Sequence, residues 1–329
     1  MPFALPEHVN VYNLGALIEL KNAIVASGES KIVIDASRLR YIDPAGLCVL
    51  TVLANQLGQL DIELELRRLE QSMAQYLERM DLFRNCRIGG APSFTGVRRE
   101  SEGRFVELQC LDAVRDVGAA ATKLARTLVG KIDDVRLDTR PDEMTGKSEV
   151  DRVEGPLNYV LDELVENALT HAKDRGFGGA RAWIAAQYYP KSKKVRLAVV
   201  DDGCGFLESL RRHAALKEQS HVAAIEAALE PRVSRNRDVG LGRDSGNQGV
   251  GLTVTRQIAM TSGGFMTLFS GDGWIADAAG AQRARKAIPR WQGAGVYMEL
   301  KREQLRDVDV GAIVRNLPGY MPVKGIRFE

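Results

Sequence analysis

"DELVENALTHA", residues 162–172, sets Glu163, Glu166, Asn167 and His171 into one short leucine-rich stretch. In the helix expected over 154–173, Leu157, Leu161, Leu164 and Ala168 recur at i, i+4, i+7 and i+11, an apolar stripe suited to a core. Glu163, Asn167 and Thr170 form a neighbouring polar stripe by the same spacing. Glu163 and Asn167 therefore project from adjacent turns toward one place. A carboxylate can take a proton from an attacking hydroxyl or water. An asparagine carbonyl is a hard oxygen ligand of the kind Mg²⁺ accepts. Taken alone, the pair is explained more simply as a solvated helix edge.

Two further motifs decide against that simpler explanation. "VVDDGCGF" (199–206) ends an apolar strand with Asp201, Gly203 and Gly205 in a DxGxG pattern. A carboxylate at a strand end can accept a hydrogen bond from an exocyclic amine, and glycines let backbone lie close to a flat base. "GNQGVGLTVTRQI" (246–258) places Gly246, Gly249 and Gly251 just before a helix. Free N–H groups at such a helix start form an anion site for phosphates. Each motif is weak alone. The three in this order are a strong combination.

The motifs sit in an alternating pattern of strands and helices. A helix is expected over 15–28, a strand at "KIVIDAS" (31–37), an apolar helix at "GLCVLTVLANQL" (46–57), a strand at 62–67 and a helix at 70–80. This small α/β unit ends near "GGAPSFTG" (89–96), where Gly, Pro and Ser cluster. A second unit begins with a strand at 104–111 and a helix over 112–130, then a polar loop over 133–151. After the helix at 154–173 come strands at 180–189 and 194–203. A helical insertion over 208–230 reads either as a partner surface or as a cover. The Gly-led helix (249–264), two closing strands at "FMTLFSG" and "GVYMELK", and a short helix with a tail from about 303 complete the chain.

The second unit resembles the ATPase superfamily of gyrase, heat-shock chaperones, histidine kinases and anti-sigma kinases (GHKL), over roughly 104–302. "ELVENALTHA" is similar to its asparagine motif, "DDGCGF" to its adenine motif and "NQGVGL" to its phosphate-binding lid motif. Carried over, the resemblance makes Glu163 the general base and Asn167 the Mg²⁺ ligand. Asp201 would bind the adenine amine, Gly203 and Gly205 would shape the base pocket, and Gly249 and Gly251 would bring N–H groups to the phosphates. ATP and Mg²⁺ are the implied cofactors. One departure stands out: where the family often has a Gly-Thr step, this chain reads "GAGVYMEL" (293–300), with no hydroxyl beside Gly293 or Gly295.

"KIVIDASRLRYIDPAGLCVL" resembles the STAS domain of anti-sigma-factor antagonists, over roughly 12–88. In those antagonists a serine in the turn before the helix accepts phosphate. Here the turn is Asp43, Pro44, Ala45 and Gly46, which has no acceptor. The expected fold is therefore α/β: a small STAS-like domain (1–95), a linker (96–103), a two-layer α/β sandwich of GHKL type (104–302) and a C-terminal helix and tail (303–329).

Composition bounds the function. The 329 residues are 45% hydrophobic and 27% charged with net charge +2, an ordinary globular balance that argues for no nucleic-acid partner. The N-terminus lacks a signal-peptide pattern, and no long apolar run predicts a membrane span, so a cytoplasmic protein is expected. The four cysteines are scattered, with no metal-ligand spacing. The reading this supports is a regulatory protein that binds Mg·ATP and controls a protein partner, with a homodimer possible. An anti-sigma-type serine/threonine kinase acting on a separate protein and a non-catalytic ATP-dependent module are the alternatives.

Overall fold

In the N-terminal unit, alternation along two short segments buries Ile32, Ile34, Leu64 and Leu66 and turns Lys31, Val33, Glu63 and Arg67 outward. In a computed structural model of the chain, which describes residues 3–90, 104–111, 117–129, 139–173, 176–233 and 250–318, this unit comprises ten elements. They are β1 (Phe3–Ala4), β2 (His8–Val9), α1 (Leu14–Ser27), β3 (Lys31–Asp35), β4 (Tyr41–Ile42), α2 (Pro44–Gln59), β5 (Glu63–Arg67), α3 (Gln71–Arg79), α4 (Leu82–Asn85) and β6 (Ile88–Gly89). The strands β1-β3-β5-β6 form a parallel sheet, and β2 pairs with β4.

Helix α2 begins where the sequence dictates. Asp43 caps it by accepting from the Gly46 N–H at 2.8 Å, and Pro44 occupies the first turn, where its missing N–H costs nothing. Every residue from Pro44 to Ala54 is buried. A helix buried all round needs cover on two sides. The small parallel sheet supplies one, and the second unit supplies the other.

That second unit contains β7 (Phe105–Leu111), α5 (Val117–Val129), α6 (Glu149–His171), β8 (Ala182–Tyr189), β9 (Lys194–Asp201), α7 (Gly205–Leu210), α8 (His221–Ala228), α9 (Gly251–Thr261), β10 (Phe265–Ala278), β11 (Ala284–Lys301), α10 (Arg302–Leu305) and α11 (Val310–Arg315). Its strands form one antiparallel sheet in the order β10-β11-β9-β8-β7. Strict alternation divides the sheet between two cores. Ile184, Ala186, Leu197, Val199, Leu268 and Met298 share a core with α5, α6 and α9. Trp183, Ala185, Ala198, Val200, Phe269 and Tyr297 share the other with the N-terminal unit. The N-terminal unit, through α2, is thus the cover of the face that the second unit's own helices leave bare.

Polar contacts fix how that cover sits. Arg196 on β9 donates to the Tyr41 hydroxyl at 2.6 Å and to Glu299 at 2.8 Å, and the Tyr76 hydroxyl donates to Gln187 at 2.9 Å. The far end of the β10–β11 hairpin reaches the N-terminal unit as well. The Trp274 indole donates to the Val11 carbonyl at 3.1 Å, and Lys286 to the Tyr12 carbonyl at 2.6 Å.

Three expectations need correction. Helix α6 starts at Glu149, not near 154, because Ser148 and Asp151 close a capping box: the Ser148 N–H donates to Asp151 and the Asp151 N–H to Ser148. The closing strands are longer than "FMTLFSG" and "GVYMELK", since β10 and β11 continue into an extended hairpin. The segment at 208–230 is only partly helical: it holds the end of α7, then turns and bends over 211–220, then α8. The linker expected at 96–103, the tail beyond 318 and most of the glycine-rich turn before α9 lie outside the described residues.

Candidate functional site

The helix-covered face of the sheet holds a partly open cavity between α6, the end of β9, α7 and the start of α9, about 840 Å³ with its solvent-open mouth included. Its wall is mostly apolar. Asn167, Asp201 and Ser209 are the polar side chains that line it among the described residues. Ser209, Leu210 and Ala228 of the 208–230 segment and Val233 just beyond it also line the cavity.

Asp201 sits at the last residue of β9, where the strand stops supplying apolar side chains to the core. Its Oδ1 accepts from the Gly203 N–H at 2.9 Å and the Ala294 N–H at 3.2 Å. Both bonds fall on one oxygen, so Oδ2 remains for a ligand in the cavity. Burial pushes this carboxyl up to about 7, against the lowering effect of those two N–H groups.

Glu163 and Asn167 lie one turn apart on α6, as the spacing predicts. Asn167 lines the cavity. The Glu163 carboxylate lies against Gly251 at the first turn of α9, so close that a Cβ at 251 would collide with it. Its Oε2 is buried and has no hydrogen-bond partner. Burial raises its pKa to about 7, a hydrogen bond from Tyr159 opposes that, and the charges of Glu166 and Asp162 add to it. A base poised near neutrality is what proton abstraction requires.

The glycines divide in their roles. Gly205 lines the cavity with φ of 75°, in the left-handed region that glycine favours. Gly203 lies outside the lining, because it packs against the Ala172 end of α6. Gly251 lines the cavity, and Gly249 lies outside the described residues. The structure therefore brings Asn167, Asp201, Gly205 and Gly251 onto one cavity, with Glu163 at Gly251. Val296 lines the wall of the closing strand without a hydroxyl. Sequence reasoning missed Ser209, which carries no motif signal within its helix.

Three buried carboxyls predict a pH dependence of stability. Asp43 is raised to about 6, and Glu163 and Asp201 to about 7, each chiefly by desolvation. Unfolded carboxyls titrate near 4. Between these limits the folded chain binds more protons than the unfolded one, so stability falls as pH rises from about 4 through about 7. Denaturant unfolding should give a lower midpoint at about pH 8 than at about pH 5, and Asp201→Asn should shrink the difference. An unchanged difference in that variant would show that Asp201 does not titrate as its burial requires.

Residues 152–301 match the family described as histidine kinase-, DNA gyrase B-, and HSP90-like ATPase. Residues 4–86 match the family described as Mlab, STAS domain. No curated protein matches the chain. The 4–86 segment covers most of the small unit, and the 152–301 segment covers four strands of the antiparallel sheet, β8 to β11, with α6 through α9 but not β7 or α5. The chain therefore joins a segment of the STAS domain family to a segment of the histidine kinase-, DNA gyrase B-, and HSP90-like ATPase family.

Proposed function

We propose that the chain binds Mg·ATP in the cavity between α6, β9, α7 and α9. Through slow hydrolysis or a nucleotide-gated change of shape, it then controls a protein partner. The observation that carries this reading is Asp201: one carboxylate oxygen is held by two backbone N–H groups, while the other serves a mostly apolar cavity. A buried acceptor in such a place needs a donor, and the exocyclic amine of adenine supplies one.

The other residues fit the rest of the nucleotide. Asn167 would hold Mg²⁺ through its carbonyl, and the metal would supply charge neutralisation at the phosphates. Gly251, in the first turn of α9, lines the cavity and lets the Glu163 carboxylate lie against the backbone there, beside the helix start that would face the phosphates. Glu163, buried and raised to about 7, accepts the proton of the attacking group. That group is water in an ATPase and a protein hydroxyl in a kinase, and Glu163 serves either.

The STAS domain is disfavoured as its own phosphate acceptor. Its turn carries no hydroxyl, Asp43 and Ala45 are buried, and it faces the side of the sheet opposite the cavity. A kinase reading thus requires a separate substrate protein. Incubating the purified chain with γ-labelled ATP and Mg²⁺, alone and with products of neighbouring genes, separates the possibilities. Free phosphate supports hydrolysis and a labelled partner supports the kinase. ATP bound but never turned over supports a binding module, and no ATP bound at all defeats the proposal.

A further inference from the structure

Ser270, near the middle of β10, is 1% exposed and belongs to none of the motifs. Its hydroxyl donates to the Gly293 carbonyl at 2.7 Å and accepts from the Phe206 N–H at 3.2 Å. Both of its hydrogen-bonding roles are thus used to join two segments that meet at the base end of the cavity.

Each of those segments is bent. Gly293 has φ of 104°, and its neighbour Ala294 supplies the N–H that holds Asp201. Gly205, just before Phe206, has φ of 75°, and a Cβ there would lie 2.5 Å from the Ser270 hydroxyl. Gly205, Phe206 and Ala294 all line the cavity. Bends of this kind hold a set shape only where the surroundings fix them. The pairing of β10 with β11 is itself irregular here, with a register shift between Ser270 and Gly271. The ladder alone therefore does not fix the bend at Gly293.

We propose that Ser270 is a positioning residue for the base end of the nucleotide site. It clamps the Gly293 bend to the Gly205–Phe206 turn, and so holds the Ala294 N–H on Asp201 and the aim of that carboxylate. Ser270 itself touches no nucleotide. Alanine at 270 leaves the Gly293 carbonyl and the Phe206 N–H without a partner in a water-poor place, and the bend relaxes.

The inference rests on the reading of Asp201 as acceptor for an exocyclic amine, and the test separates the two. The full chain is titrated with ATP and with inosine triphosphate, which has a carbonyl in place of the amine. The wild type should prefer ATP. Ser270→Ala should weaken ATP about tenfold, in line with the loss of a buried hydrogen bond, and weaken the inosine nucleotide less, so that the preference shrinks. Ser270→Cys, near in size with a weaker donor, should keep the fold and give an intermediate preference. If the wild type binds both nucleotides alike, or neither, the reading of Asp201 fails and takes the inference with it. If the wild type discriminates and Ser270→Ala discriminates equally, the inference alone is wrong, even if both affinities or the melting temperature fall. Should Ser270→Ala fail to fold, a wild-type preference in Ser270→Cys also overturns it.

Discussion

A fragment beginning at residue 96 is expected not to fold on its own. Removing the STAS domain uncovers the face of the sheet that carries Trp183, Phe269, Trp291 and Tyr297, all buried in the core shared with that domain. Burial of one large apolar side chain stabilises by about 1.5–3 kcal/mol, so four amount to about 6–12 kcal/mol. That is comparable with the whole stability of a typical domain, about 5–15 kcal/mol. The fragment should be insoluble or bind a hydrophobic dye, and co-expression with residues 1–95 should restore a soluble complex. A point change tests the same interface. Cys48 lies in α2 with its Sγ 3.9 Å from the Ala198 carbonyl of β9. Cys48→Asp puts an unpaired charge between the two layers and should unfold the chain. Cooperative unfolding and ATP binding by the lone fragment would show that the STAS domain is an optional attachment.

The second large effect is catalytic. Glu163→Ala should retain ATP and lose most of the turnover measured for the wild type, since a positioned base contributes about 10²–10⁴-fold. Binding rests on other groups, so affinity should stay close to wild type while kcat falls. The change removes both a buried oxygen that has no partner and the acceptor of the Tyr159 hydroxyl, so the melting temperature is read beside turnover and the loss is assigned to chemistry only in a folded variant. A variant that turns over ATP as fast as the wild type would remove Glu163 from the mechanism.

Much of this was legible in the residues. The i, i+4 placement of Glu163 and Asn167 and the strand-end position of Asp201 follow from local period alone, and the structure gathers them. The relation between the two domains had a signal too. An ordinary surface helix is apolar on one stripe, whereas "GLCVLTVLANQL" is apolar nearly all round, the pattern of a helix covered on both sides.

Other features had weaker signals. The start of α6 was written in Ser148-x-x-Asp151, inside a polar stretch that otherwise has no period. The outer hairpin was hidden for a physical reason. The register shifts between Ser270 and Gly273 break the two-residue alternation at the point where the strands leave the main sheet. Ser270 and Ser209 could not be found by spacing, because their importance arises from neighbours distant in the chain. Ser270, for example, meets Phe206 and Gly293 only once the sheet has formed.

The central claim is that this cavity is an adenine nucleotide site, and calorimetric titration of the full chain with ATP tests it most directly. With Mg²⁺ present the wild type should bind one ATP per chain. Asp201→Asn loses the acceptor for the amine and should bind more weakly by about 1–3 kcal/mol. Asn167→Ala loses the metal ligand, so its deficit should appear with Mg²⁺ and largely vanish without it. Wild-type affinity in both variants, or no binding by the wild type, would contradict the account.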